Sequence, residues 1–96
     1  MITVTVRLMG NLIKISGTSS IQMRMEDGVV IKDLLEEIFR LYGEEMRHQV
    51  MDSSGKELAP YYKILVNGRN FNLLLGFDTP LQEGQVIHIM PPIAGG

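Results

Sequence analysis

Alternation of apolar and polar positions dominates the two ends of this chain. At the start, Ile2, Val4, Val6 and Leu8 alternate with Thr3, Thr5 and Arg7. A period of two sends successive side chains to opposite faces, so the run predicts a strand with one dry and one wet face. Ile21, Met23 and Met25, separated by Gln22 and Arg24, predict a second strand. Its closeness to the first predicts antiparallel pairing as a long hairpin. Gly10-Asn11 and Gly17-Thr18-Ser19 are turn signals on either side of Leu12-Ile13-Lys14-Ile15. After the turn at Glu26-Asp27-Gly28 the period changes. Ile31, Leu34, Leu35, Ile38, Leu41 and Tyr42 fall on one side of a helix, and Gly43 suits its end. Asp33, Glu36 and Glu37 suit the positive end of the helix dipole. Val30 stands where a Ser or Thr cap would be expected, so the helix start is poorly marked.

Residues 44–60 carry the weakest pattern. Asp52-Ser53-Ser54-Gly55 predicts a turn closing a small hairpin between Val50-Met51 and Glu57-Leu58. Tyr62 to Val66 reads as a strand ended by Asn67-Gly68, and Leu73-Leu74-Leu75 as a short strand ending at Gly76. Asp78-Thr79-Pro80-Leu81 reads as a single turn, and Glu83-Gly84-Gln85 turns into a last strand, Val86 to Met90. One amphipathic helix must cover a sheet, so the order predicts an α+β domain: a mixed sheet of four to five strands packed on one main helix. With the first and last strands side by side in the centre it becomes a β-grasp, ubiquitin-like roll; strand order enters by analogy, because spacing does not fix it. The domain is expected over residues 1–90, with 91–96 as an extended tail.

Composition narrows the function classes. Ninety-six residues suit one domain, and a net charge of -2 provides no polybasic surface for nucleic acid or membrane. No apolar run is long enough to span a bilayer, and Met1-Ile2-Thr3-Val4 does not begin a signal peptide. The absence of cysteine excludes a disulfide framework, a thiolate metal site and a cysteine nucleophile, and a cytoplasmic protein is expected. His48 and His88 have no nearby second histidine, so no metal site is expected, and Met23 and Met25 read as core filler.

The chemistry concentrates at the end, Met90-Pro91-Pro92-Ile93-Ala94-Gly95-Gly96. Two prolines stop sheet pairing, since proline lacks an N–H. No side chain of Gly95 or Gly96 can react, which leaves the α-carboxylate of Gly96 on a thin backbone. Val66-Asn67-Gly68-Arg69-Asn70, Asp78-Thr79-Pro80-Leu81, Glu83-Gly84 and the ending Pro91-Pro92-Ile93-Ala94-Gly95-Gly96 together resemble the MoaD-type sulfur carriers of the MoaD/ThiS superfamily, the small subunits of molybdopterin synthase. The longer stretch at 44–60 resembles the branch that includes archaeal ubiquitin-like small modifiers.

The resemblance implies that an E1-like adenylating enzyme of the MoeB type, using ATP and magnesium, activates the Gly96 carboxylate. A thiocarboxylate then forms on Gly96. Ile93, Ala94 and Gly95 thread the partner's channel, and the sulfur passes to a pterin precursor in the large subunit of molybdopterin synthase, MoaE type. The chain has no Gly-rich phosphate loop with a lysine, so no cofactor is expected to bind to it. Two alternatives stand beside this: a modifier joined through Gly96 to lysines, and a thiamine-type carrier, a class generally shorter and without the Pro-Pro step. Alternation turns His88 and Met90 outward on the last strand, and Leu65 outward if Ile64 and Val66 face the helix. These three are expected to form an exposed, partly apolar docking patch beside the tail.

Overall fold

The computed structural model describes residues 1–92, and the fold follows from the pairing of its alternating runs. Strands β1 (Ile2–Leu8), β2 (Ser20–Met25), β3 (Lys63–Val66), β4 (Arg69–Asn70) and β5 (Val86–Met90) form one sheet in the order β2-β1-β5-β3-β4. β1 and β5 run parallel at the centre, with Val6 opposite Ile87 and Leu8 opposite Ile89; the other pairs are antiparallel. Val4, Val6, Leu8, Ile64, Ile87 and Ile89 are buried on the inner face. Helix α2 (Ile31–Tyr42) supplies Ile31, Leu34, Leu35, Ile38 and Phe39 to the same core. This is the α+β domain that the pattern predicts, with the strand order of the β-grasp roll expected by analogy.

Several elements differ from expectation. β1 and β2 do pair antiparallel from Ile2–Met25 to Arg7–Ser20. Their connection, however, is a short helix α1 (Asn11–Ser16), with Leu12 fully buried. A second unpredicted helix, α3 (Glu44–Val50), begins directly after Gly43, whose positive φ of 86° ends α2 and redirects the chain. Glu44 and Glu45 are therefore in the first turn of a new helix, and Met46 and Val50, four apart, are its buried side. Arg47 ties α3 to α2: it donates two hydrogen bonds to the Glu36 carboxylate, at 3.1 and 2.9 Å, and lies over the Phe39 ring at 4.7 Å. Leu41 is 48% exposed, and Phe39 takes the inward place assigned to it. The expected hairpin at 50–58 is reduced to one bridge, Met51 to Leu58.

The short strand lies at Arg69–Asn70 rather than at Leu73–Leu75. Residues Phe71–Leu73 instead form a 3₁₀ turn that buries Phe71 and packs Leu74 against the core, leaving Leu73 and Leu75 exposed. A second 3₁₀ turn, Gly76–Asp78, follows, and Thr79-Pro80-Leu81 then runs beside the start of α2. Ile31 N–H donates to the Thr79 carbonyl and Leu81 N–H to the Val29 carbonyl, each at 3.0 Å, while Val30 N–H donates to Asp33. A neighbouring segment thus secures the helix start that Val30 cannot cap.

Candidate functional site

The tail leaves from the middle of the sheet. β5 is flanked on both sides, by β1 as far as Ile89 and by β3 as far as its last residue, Met90, which stands opposite Lys63. Pro91 and Pro92 follow with no regular structure, and neither can donate a ladder hydrogen bond. Pro91 is half-buried against the corner where β1 turns into α1. Gly10 occupies that corner at φ 58° and ψ -134°, a region open to glycine alone. A Cβ there would lie 3.1 Å from Pro91 Cγ. Gly10 therefore lets the tail root approach the corner, and the folded contact extends one residue beyond the expected boundary at 90.

A cleft of about 700 Å³ opens beside this root, between Met9–Asn11, Gln49, Tyr62 and the two prolines. Asn11 Nδ2 donates to Gln49 Oε1 at 2.7 Å, fixing α1 against α3 on the cleft wall. Burial pushes the Tyr62 phenol above its ordinary pKa, opposed by its hydrogen bond with Asn11. A smaller cleft of about 250 Å³ on the helix layer, between Lys32, Leu35, Phe39, Met51 and Phe77, is remote from the tail root.

The docking residues are brought together as a pair and a neighbour. Leu65 stands directly opposite His88 across β3 and β5, and Met90 stands opposite Lys63. Their inward neighbours Ile64, Val66, Ile87 and Ile89 are buried, so all three side chains do lie on the outer face. They are half-buried rather than exposed, because cross-strand side chains about 4.5–5.5 Å apart at Cβ cover one another. His88 Nδ1 is buried with no hydrogen-bond partner among the described residues. The proposed reactive group Gly96 and the threading residues Ile93, Ala94 and Gly95 lie outside the described residues.

The motifs that carried the resemblance are latches. Asn67, at φ 49°, exchanges with Val86: its N–H donates to the Val86 carbonyl at 2.9 Å and its Oδ1 accepts from Val86 N–H at 2.7 Å. Buried Thr79 accepts from Leu75 N–H and donates to the Gly76 carbonyl. Glu83 Oε1 accepts from Thr3 N–H, while Gly84 N–H donates to the Thr3 carbonyl. The Asn67 latch fixes the start of β5, the Glu83-Gly84 latch ties the loop before β5 to β1, and the Thr79 latch fixes the loop beside the start of α2.

A model of the ThiS family matches residues 6–96. The chain belongs to the ThiS family. Small archaeal modifier protein 3 of Haloferax volcanii is 30% identical over 83 residues, covering 86% of this chain and 87% of that protein. An Archaeoglobus fulgidus protein named "Putative sulfur carrier protein" is 29% identical over 68 residues, 71% of this chain and 75% of its own. The solution structure of small archaeal modifier protein 1 of Methanosarcina acetivorans superposes with a TM-score of 0.82 at 28% identity, covering 100% of this chain and 98% of that one. This ThiS-family chain is thus a ubiquitin-like member of a group of sulfur carriers and modifiers. Its described residues hold no group of three His, Cys, Asp or Glu placed for a metal, and no helix long and apolar enough to cross a membrane. His48 lies on the surface with its Nε2 3.7 Å from Glu44.

Proposed function

We propose that this chain is a cytoplasmic sulfur carrier in which the Gly96 carboxylate is the reactive group, and that the sulfur is used to build molybdopterin. The observation that carries this reading is the tail root. The central strand β5 passes into Pro91-Pro92, the root is seated on Gly10, and the family match runs through residue 96.

A carboxylate is a poor electrophile. In the proposed sequence a Gly96 carboxylate oxygen attacks the α-phosphorus of ATP on an E1-like adenylating enzyme, and pyrophosphate leaves. A sulfide-level donor on a partner then attacks the acyl carbon, the bond to AMP breaks, and Gly96 carries a thiocarboxylate. Residues 91–96 reach at most about 20 Å at ~3.3 Å each, enough to enter a partner's pocket while the roll stays outside. Absence of Cβ at Gly95 and Gly96 keeps the passage narrow. Leu65, His88 and Met90 serve as the docking patch for the adenylating enzyme and for the large synthase subunit, which supply the catalysis.

A second reading has its own support. The 30% identity to small archaeal modifier protein 3 favours transfer of the same acyl-adenylate to a lysine amine, with AMP leaving and an amide forming. Both readings need the Gly96 carboxylate. Incubated with the adenylating enzyme, ATP and magnesium, the full chain should support ATP–pyrophosphate exchange. Deletion of Gly96 should abolish exchange and leave the melting temperature unchanged. Exchange that survives the deletion would refute the assignment.

A further inference from the structure

The sheet has two edges, and they are guarded differently. β4 closes one with two residues, too short to template another strand. β2 forms the other with six, Ser20–Met25, and its register with β1 runs from end to end without a bulge. Proline, lysine, a bulge or an inward charge usually protects such an edge. β2 has none of them, and its one charge is the exposed Arg24. The direction of its backbone groups follows from one bond. Leu8 N–H donates to the Ser19 carbonyl at 2.9 Å, so that facing pair is a hydrogen-bonded one. Antiparallel pairs alternate, so Ile21, Met23 and Met25 turn their N–H and C=O toward β1, while Ser20, Gln22 and Arg24 turn theirs outward. Thr18 Oγ1 already covers Ser20, accepting from its N–H at 3.3 Å and donating to its carbonyl at 3.0 Å. The N–H and C=O groups of Gln22 and Arg24 have no partner among the described residues.

These free groups fit β2 itself. With a second copy set antiparallel so that Met23 faces Met23, Gln22 faces Arg24 of the second copy and Arg24 faces its Gln22. Every free group then finds a partner, and the Thr18 contacts stay in place. The side chains agree with this register. On the inner face Ile21 meets Met25 of the second copy, at a non-hydrogen-bonded position where facing side chains come closest. Both are only half-buried in the single chain. On the outer face a glutamine amide meets a guanidinium, and no like charges face each other. The neighbouring register, with Gln22 facing Gln22, sets Arg24 against Ser20 and requires the Thr18 contacts to break. β1 separates β5 from this edge, so both tail roots stay clear, and the two-fold sends the tails off at opposite ends of the joined sheet.

We propose that β2 is a self-complementary edge through which two copies of this chain pair antiparallel into one continuous sheet. Six residues a side bury less than the roughly 1,200 Å² of a standard interface, so the pairing is weak, with a dissociation constant of roughly 10–1,000 µM. Sedimentation equilibrium of the full chain across that range should show monomer passing to dimer. The Gln22 and Arg24 amides should exchange hydrogen more slowly as the dimer forms. Charge then reads the register. Gln22→Arg places a guanidinium against Arg24 of the second copy, twice per dimer, and should weaken pairing about fivefold, whereas Gln22→Glu places a carboxylate there and should tighten it about fivefold. Gln22→Arg with Arg24→Gln exchanges the two side chains, keeps the net charge at -2 and should restore wild-type pairing. Both positions are exposed, so thermal melts of the variants should stay close to wild type. A chain that remains monomeric at the top of the concentration range would overturn the proposal and leave the edge to an extended segment of another protein. So would a dimer weakened equally by Gln22→Arg and Gln22→Glu, the mark of Gln22 facing Gln22, or a dimer indifferent to both, the mark of another face.

Discussion

Replacing Gly10 by Ala should impair the tail chemistry more than it impairs the fold. The new Cβ would lie 3.1 Å from Pro91 Cγ, whereas carbon atoms prefer about 3.5–4.0 Å, so the root must move by roughly half an ångström. Gly10 also has a φ of 58° with ψ of -134°, and holding Ala there costs on the order of 1–3 kcal/mol. Gly17→Ala is the matched control. It too has a positive φ, 77°, but a Cβ there meets nothing within 4 Å, and the left-handed strain is about 1–2 kcal/mol. At about 4–8 °C per kcal/mol for a domain of this size, the two melting losses overlap, so melting alone cannot separate them. Turnover can. Misplacing a reacting group by about 1 Å can cost on the order of 100-fold, and a displaced root changes where the tail starts. In ATP–pyrophosphate exchange at saturating adenylating enzyme, below the melting temperature of either variant, Gly10→Ala should lose about tenfold or more in kcat. Gly17→Ala should keep its kcat. Equal kcat in the two folded variants would refute the reasoning.

Three further outcomes are expected. Leu34→Ala and Ile38→Ala, both fully buried on α2, should each cost about 2–5 kcal/mol, read as a lower urea midpoint; unchanged midpoints would contradict the packing. Met90→Asp should leave the fold intact, with Lys63 opposite position 90, and weaken binding to the adenylating enzyme or the large synthase subunit by about a hundredfold, roughly 2.8 kcal/mol, since it puts a charge into an apolar contact; unchanged calorimetric affinity for both would place docking elsewhere. Acid should destabilise the helix layer: hydrogen bonds from Arg47, Arg40 and Ser54 hold Glu36, Glu37 and Asp52 below their ordinary values, so the stability they add is complete above those values and is lost as pH falls through the lowered ones. Urea midpoints that stay flat or rise on acidification, or that fall equally in Arg47→Met, would contradict this.

The sheet was legible because alternation is a direct imprint of a half-buried strand. Ile2 to Leu8, Ile21 to Met25, Ile64 to Val66 and Val86 to Met90 all face as their pattern indicates. Helix α2 was legible for the same reason at a period of 3.6. α1 has six residues and α3 seven, less than two full turns each, so their apolar spacing is too brief to stand out from a loop. Met46 and Val50, four apart after two acids, were the signal available for α3. Leu73-Leu74-Leu75 misled because a run of leucines says nothing about which of them reaches the core. At the site, alternation placed Leu65, His88 and Met90 on the outer face but could not reveal how far neighbours cover them. Gly10 was readable only as a turn. Its role depends on Pro91, far away in sequence and brought near by the parallel pairing of β1 with β5.

The central claim is that Gly96 carries sulfur as a thiocarboxylate, and the mass of the C-terminal peptide tests it most directly. Protein isolated from its own cell under non-reducing conditions and cleaved after Arg69 should release a fragment ending at Gly96. The account predicts a fraction in which one oxygen of the Gly96 carboxylate is replaced by sulfur, lost on alkylation-and-hydrolysis and regained with adenylating enzyme, ATP and a sulfur donor. A fragment that is always the plain carboxylate, with Gly96 instead recovered in branched peptides on lysines of other proteins, would contradict the carrier and establish the modifier.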